Sequence, residues 1–379
     1  MAEIRIEKTA HPKEKPDSGN LSFGKYFTDH MFVMNYEKDK GWFDPRIVPF
    51  APFEISPAAM VLHYAPEVFE GLKAYRRPDG SVQLFRPQEN IARMNRSAER
   101  MCLPQIDPEL FMEALLALVR TDSDWVPAGE DTTLYIRPFL FATDPKLGVH
   151  APSMCTFAII LSPVGPYFPE GVNPVKIFIE KEDVRAVRGG TGFAKCGGNY
   201  AGSLRAGERA EANGFAQVLW LDGVEKKYVE EGGGMNIMFK IKDKVVTPAL
   251  LGTVLPGITR KSVIEMLKSW NIEVEERLVT LEEILTGIKN GDVEEAWCCG
   301  RHLAYRRVRD GGRTVHHRRL QERSAGPETL SRAHRPAVRP HRGQLRLDGA
   351  RRVERHQSKR TYKSLPRGRL FFMNRLLNR

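Results

Sequence analysis

The sequence predicts a two-domain α/β protein, and three observations carry that reading. Its 379 residues exceed what one simple core organises, and 41% of them are hydrophobic, enough to bury a substantial core. Runs with strand character alternate with runs of helical spacing along most of the chain. Between the two halves lies Val164-Gly165-Pro166-Tyr167-Phe168-Pro169-Glu170-Gly171, whose prolines and glycines interrupt any helix or central strand. The expected organisation is a loosely held, flexible arm over 1–20, a small α/β domain over 21–163 and a linker over 164–171. A larger domain over 172–300 and a basic tail over 301–379 follow.

In the first half, Leu72 to Arg86 holds two short strand-like runs around Pro78-Asp79-Gly80, a turn signal that predicts a hairpin. Gln88 to Met101 has helical spacing, with Ile91, Met94 and Ala98 on one face. Asp107-Pro108 opens another helix, an N-cap followed by proline in the first turn, which runs to about Arg120. Thr132–Phe141 and Met154–Leu161 read as buried strands. In the second half, strands are expected near Val175–Glu180, Gln217–Leu221, Lys227–Glu230 and Val293–Cys298. Helices are expected over Tyr200–Ala212, Ile258–Trp270 and, capped by Thr280, Leu281–Lys289.

Charge divides the chain more sharply than length does. The formal net charge is +11. Residues 1–300 carry 35 Lys and Arg against 42 Asp and Glu, whereas 301–379 carry 21 Arg and 2 Lys against 5 acids. The first part is an ordinary acidic chain. The second has the charge of a polycation that binds nucleic acid without sequence preference, but it lacks a stacking or reading motif. No apolar run approaches the roughly 20 residues of a membrane helix, and the start MAEIRIEKTAHPKEKPD has no apolar signal segment. Five cysteines in a chain this long form no disulfide framework and point to a reducing, cytoplasmic setting. No metal-ligand spacing is evident.

Four segments carry potential chemistry, and each also has a plainer reading. In Gly189-Gly190-Thr191-Gly192-Phe193-Ala194-Lys195-Cys196-Gly197-Gly198-Asn199-Tyr200 a single lysine sits among five glycines. Glycine permits close approach of backbone or a flat ligand, and a desolvated lysine is nucleophilic; the alternative is a surface loop with a solvated lysine. Glu230-Glu231 precedes a glycine run and an apolar strand, which also describes a plain hairpin. Leu255-Pro256-Gly257-Ile258-Thr259-Arg260 enters a helix whose free N–H groups form an anion site or are simply capped. Arg93 either clamps a phosphate or lies on a solvated face. His63 reads as a packed structural histidine.

Taken in order, these segments strongly resemble the branched-chain aminotransferases, pyridoxal-phosphate enzymes of fold type IV. The resemblance runs from about Phe23 to Gly300. It includes FGKYFTDHMF at 23–32, LHYAPEVFEGLKAYR at 62–76, FRPQENIARMNRSAERMCLP at 85–104 and LYIRPFLFA at 134–142. VGPYFPEG at 164–171, AKCGGNYAGSL at 194–204, QVLWLDG at 217–223, EGGGMNI at 231–237 and LPGITR at 255–260 continue it. The resemblance implies a small N-terminal domain, a larger C-terminal domain and pyridoxal 5'-phosphate in the cleft between them. By it, Lys195 forms the Schiff base and moves the proton, Tyr200 meets the phenolic oxygen, and Glu231 pairs with the ring nitrogen. Arg93, Ile258 and Thr259 take the phosphate. Tyr64, Phe69, Tyr135, Arg137 and Tyr167 line a substrate pocket in which Arg137 receives the distal carboxylate of glutamate or 2-oxoglutarate. The implied reaction moves the amino group of L-leucine, L-isoleucine or L-valine to 2-oxoglutarate in a cytoplasmic homodimer. A D-amino-acid aminotransferase or an aminodeoxychorismate lyase shares the fold, but the YIRP and EGLKAYR segments favour the branched-chain family.

Two departures qualify the match. Gly232 stands where the family has a larger apolar residue. After Gly300, where the family has a Gly-Thr-Ala type turn, this chain has Arg301-His302-Leu303. Arginine in excess with almost no lysine is what out-of-frame reading of a GC-rich gene produces, so 301–379 is expected to be largely an out-of-frame translation; a lineage-specific basic tail is the alternative. Two further readings follow: an inactive or truncated relative, and a nonspecific nucleic-acid-binding polycation acting through 301–379.

Overall fold

The computed structural model describes residues 3–129, 131–165 and 175–299, together with the backbone of 305–310 and 313–316. Alternating and apolar runs in the first half build eight strands: β1 (Arg5–Ile6), β2 (His30–Glu37), β3 (Gly41–Pro49), β4 (Glu67–Phe69), β5 (Leu72–Arg76), β6 (Val82–Leu84), β7 (Thr133–Ala142) and β8 (Met154–Val164). They lie in the order β1-β3-β2-β8-β7-β5-β6, with β4 paired to β7. The predicted hairpin is β5–β6, turned at Gly80 with φ of 83°, where glycine avoids the strain of a side chain. Short α1 (Met60–Tyr64) precedes β4.

Two amphipathic helices cover this sheet, α2 (Pro87–Arg100) and α3 (Pro108–Thr121). Asp107 caps α3 by accepting from the N–H groups of Glu109 and Leu110. Ile91, Met94 and Ala98 of α2 are buried, as the spacing predicts, and pack with Phe111, Leu115 and Leu118 of α3 against Phe32 and Phe157. The Phe157 ring lies 4.8 Å from Phe111 and 5.9 Å from Phe32, so losing it would cost about 3–5 kcal/mol.

The second sheet comprises β9 (Val175–Ile179), β10 (Gln217–Leu221), β11 (Val229–Gly232), β12 (Met235–Ile241), β13 (Lys244–Pro248), β14 (Glu273–Arg277), β15 (Val293–Cys298), β16 (Tyr305–Asp310) and β17 (Arg313–His316). Its order is β14-β13-β12-β11-β10-β9-β16-β17, with β15 on β12. The helices here are α4 (Gly197–Ala201), α5 (Leu204–Ala212), α6 (Ile258–Ser269) and α7 (Leu281–Asn290). Thr280 caps α7 through the Glu283 N–H at 3.1 Å. The single helix expected over Tyr200–Ala212 is two, because Gly202 and Ser203 interrupt it and the Ser203 hydroxyl turns back to the Tyr200 carbonyl at 2.7 Å.

The structure corrects the expected organisation in two places. The segment expected as a loose arm is strapped to the first sheet. Thr9 N–H donates to His30 Nε2 at 2.9 Å, Lys13 N–H donates to Asp29 Oδ1 at 2.8 Å, and β1 pairs with β3. The large domain, expected to stop at 300, continues through β16, which pairs in parallel with β9, and β17, which returns beside it. The linker beyond Gly165 and residues 317–379 lie outside the described residues, as does the turn at 300–304.

Candidate active site

Lys195 is positioned by contacts from three elements. Its N–H donates to Ser97 Oγ of α2 at 2.9 Å, and its carbonyl accepts from Phe69 N–H of β4 at 2.9 Å. The loop before it is locked by Asn199, whose Nδ2 donates to the carbonyls of Thr191 at 2.8 Å and Ala194 at 2.9 Å. A Cβ at Gly192 would strike the Thr253 carbonyl, so the small residues there serve close packing.

The Lys195 Nζ donates to the Tyr200 hydroxyl at 2.7 Å and lies 4.6 Å from the centre of the Phe69 ring. Desolvation, with the charges of Arg93 and Arg137, brings the amine down to about 8, against the pull of Glu70 and Glu231. Burial pushes the Tyr200 phenol upward, so it stays protonated. Phe69 also carries the Arg137 guanidinium at 4.7 Å, and Arg137 Nη2 donates to the Tyr135 hydroxyl at 2.9 Å. Arg137 Nε is buried without a hydrogen-bond partner. Lys195, Tyr200, Phe69, Tyr135 and Arg137 therefore form one contiguous group drawn from both halves of the chain.

Two buried carboxylates flank that group. Glu231, 2% exposed, meets Arg185 Nε at 2.7 Å and accepts from Asn236 Nδ2 at 2.9 Å. Burial raises its carboxyl above the ordinary range, with Arg185 opposing. Glu70, with no exposed surface, accepts from Arg93 Nε at 2.6 Å, Arg93 Nη2 at 2.9 Å and Asn90 Nδ2 at 2.8 Å. Burial works to raise Glu70, but the Arg93 charge and these bonds outweigh it, so its carboxyl sits below the usual range.

Arg93 Nη1 continues to the Pro256 carbonyl at 3.1 Å, just before α6. That helix starts at Ile258 and Thr259 behind Gly257, and no side chain caps it. A Cβ at Gly257 would collide with the Asn236 side chain. A guanidinium thus points toward helix N–H groups left open for an anion.

One expected pocket residue, Tyr64, stands apart. Tyr64 is 41% exposed, and its hydroxyl accepts from Gly148 N–H at 3.0 Å. Tyr167 lies outside the described residues. His63, expected to be packed, is exposed, with Nε2 2.9 Å from the Pro57 carbonyl. Sequence reading did not single out Glu67, Glu70, Ser97, Arg185 or Asn236. Glu67 and Glu70 lie in the LHYAPEVFEGLKAYR segment, Ser97 in FRPQENIARMNRSAERMCLP and Asn236 in EGGGMNI, whereas Arg185 lies in none of the matching segments.

Similarity to known proteins shows the family of the chain. Residues 67–309 match the family model described as amino-transferase class IV. Branched-chain-amino-acid aminotransferase 2 of Bacillus subtilis (strain 168) is 57% identical over 297 residues, covering 78% of this chain and 82% of that one. The chain belongs to the class IV aminotransferases. Among solved structures, this aminotransferase is similar to the branched-chain aminotransferase of Thermoproteus uzoniensis with norvaline. The TM-score is 0.61 at 26% identity, covering 76% of this chain and 89% of that one. The T.th. branched-chain amino acid aminotransferase with pyridoxamine 5'-phosphate gives 0.60 at 25%, covering 75% and 87%. The fold is that of the type IV pyridoxal-phosphate enzymes, with branched-chain aminotransferases as its relatives, and the cofactor is pyridoxal 5'-phosphate.

The residues present fit that cofactor. A lowered lysine amine, a phenol beside it, a buried carboxylate and an uncapped helix start approached by a guanidinium are the donors and acceptors its carbonyl, ring and phosphate require. Among the described residues, no helix is long and apolar enough to cross a membrane.

Proposed function

We propose that this chain moves the amino group of L-leucine, L-isoleucine or L-valine to 2-oxoglutarate, reversibly, with Lys195 bonding the cofactor and carrying the proton. The observation that supports it most is the Lys195 Nζ held 2.7 Å from the Tyr200 hydroxyl and brought down to about 8. An amine poised there is a nucleophile and then an acid–base group near neutral pH. When bound, pyridoxal phosphate supplies an electrophilic carbonyl carbon and an electron-accepting ring.

The remaining roles belong to the protein. Arg93 and the N–H groups of Ile258 and Thr259 hold the phosphate, since cation and helix start both favour an anion. Glu231 receives the ring's N–H, and Arg185 and Asn236 keep it aimed. Tyr200 hydrogen-bonds the phenolic oxygen. Phe69 and Tyr135 give an apolar side chain its walls, and the unpartnered Nε leaves Arg137 able to take the distal carboxylate of the dicarboxylate partner. One pocket serving both substrates makes them alternate.

The same reading places the enzyme in the cytoplasm, in keeping with its five free cysteines, as a homodimer. Leu147 and Val149, 62% and 82% exposed beside the Tyr64–Gly148 contact, offer apolar surface to a second copy. Within the polycation reading of 301–379, residues 317–379 carry 16 Arg and 2 Lys against 4 acids, so salt-sensitive DNA binding is expected of the full chain and not of one ending at 316. The test is transfer of label from 15N-leucine to 2-oxoglutarate. Labelled glutamate that disappears in Lys195→Ala supports the reading, and none from the unaltered chain defeats it, leaving an inactive relative.

A further inference from the structure

We propose that Glu67 sets how strongly the site discriminates between an apolar and an acidic substrate side chain, by opposing at Arg137 the carboxylate of the acidic one. This rests on the proposed function. Glu67 and Phe69 are two apart on β4 and share a face. The Phe69 ring carries the Arg137 guanidinium at 4.7 Å and the Lys195 Nζ at 4.6 Å. Glu67 thus lies on the same strand face as the ring that carries both cations, and their charges act on its carboxyl.

Its bonding differs from that of the other two acids. Glu70 is taken up by Arg93 and Asn90, and Glu231 by Arg185 and Asn236. Glu67 receives the Gly197 N–H, and a Cβ at Gly197 would collide with its carboxylate, so that glycine permits the approach. Arg137, for its part, has Nη2 on Tyr135 and a buried, unpartnered Nε. Neither the carboxylate nor the guanidinium is consumed by the other in a hydrogen bond, and both act at range. Burial also raises the Glu67 carboxyl, with Arg137 and Lys195 opposing that shift.

The consequence is asymmetric. A hydrocarbon side chain brings no charge, so it is indifferent to Glu67. A dicarboxylate brings a negative group to Arg137, and a second carboxylate nearby in a low-dielectric site weakens its hold by about tenfold. Discrimination against the acidic substrate is then a property of residue 67, and attraction to it a property of residue 137.

The test titrates glutarate and 4-methylpentanoate by calorimetry into the pyridoxal-phosphate-loaded protein, unaltered and as Glu67→Gln and Glu67→Asp. In Glu67→Gln, glutarate is expected to bind about tenfold tighter, with 4-methylpentanoate unchanged to within about twofold. Glu67→Asp keeps the charge and is expected to keep the ratio. Equal changes for both ligands, an unchanged ratio in Glu67→Gln, or a Glu67→Asp shift as large as that of Glu67→Gln would each overturn the inference. Borohydride reduction and peptide mass confirm the cofactor on Lys195 in each protein. Failure of the unaltered chain to take the cofactor or either ligand would defeat the proposed function and this inference together, whereas normal binding with an unmoved ratio defeats the inference alone.

Discussion

Replacing Glu70 by glutamine tests the electrostatic frame of the site. Glu70 has no exposed surface, and Arg93 is 6% exposed. Two guanidinium N–H groups meet the carboxylate at 2.6 and 2.9 Å. Glutamine keeps the shape but removes the charge and one of the two acceptor oxygens, which leaves Arg93 buried with an amide oxygen and the Pro256 carbonyl and no counter-charge. Breaking such a pair from one side costs about 3–5 kcal/mol. Spread over a chain of this size, that lowers the melting temperature by roughly 5 °C. Because the Glu70 carboxyl is held below its ordinary value of 4.5, its contribution is present above that pH and is lost as pH falls through the lower folded value. The assay is urea unfolding of the cofactor-free protein at pH 7 and pH 4. The double variant Glu70→Gln with Arg93→Met is expected to recover most of the loss, since it removes the stranded charge. A loss below about 1 kcal/mol, or a double variant no better than the sum of the single ones, would refute the reasoning.

Three further outcomes are expected. Lys195, lowered to about 8, should bond pyridoxal phosphate at a rate that rises with pH and is half-maximal near that value; a midpoint near 10 contradicts it. Gly257→Ala should displace Asn236 from Glu231 and weaken cofactor binding at least about tenfold in an equilibrium titration, while circular dichroism stays unchanged; unaltered affinity contradicts the close approach. Retranslating the coding DNA beyond codon 300 in the other frames should recover a small-residue turn and a closing helix, and their absence supports a lineage-specific tail.

What the sequence made legible was local. The α2 face, the Asp107 and Thr280 caps, the β5–β6 hairpin and the lysine among glycines are all written in spacing or in turn chemistry within a few residues. The unread parts are pairings across the fold. Glu70 meets Arg93 at a separation of 23 residues, and Arg185 reaches Glu231 from a loop of ordinary composition. β14, with the sequence EVEER, has too little apolar alternation to read as a strand, and its parallel pairing with β13 is what extends it. The arm over 1–20 looked loose because its ties to His30 and Asp29 use backbone N–H groups, which composition does not reveal. The charge break at 300 misplaced the end of the large domain, since strand pairing with β9 runs through the arginine-rich segment.

Lys195 is proposed above as the cofactor-bonding amine of a working aminotransferase. The most direct test is to incubate the protein with pyridoxal phosphate, reduce with borohydride and map the modified peptide by mass, with and without prior L-leucine. One adduct is expected, on Lys195, that L-leucine removes and 2-oxoglutarate restores. An adduct on another lysine, or one indifferent to L-leucine, would contradict it.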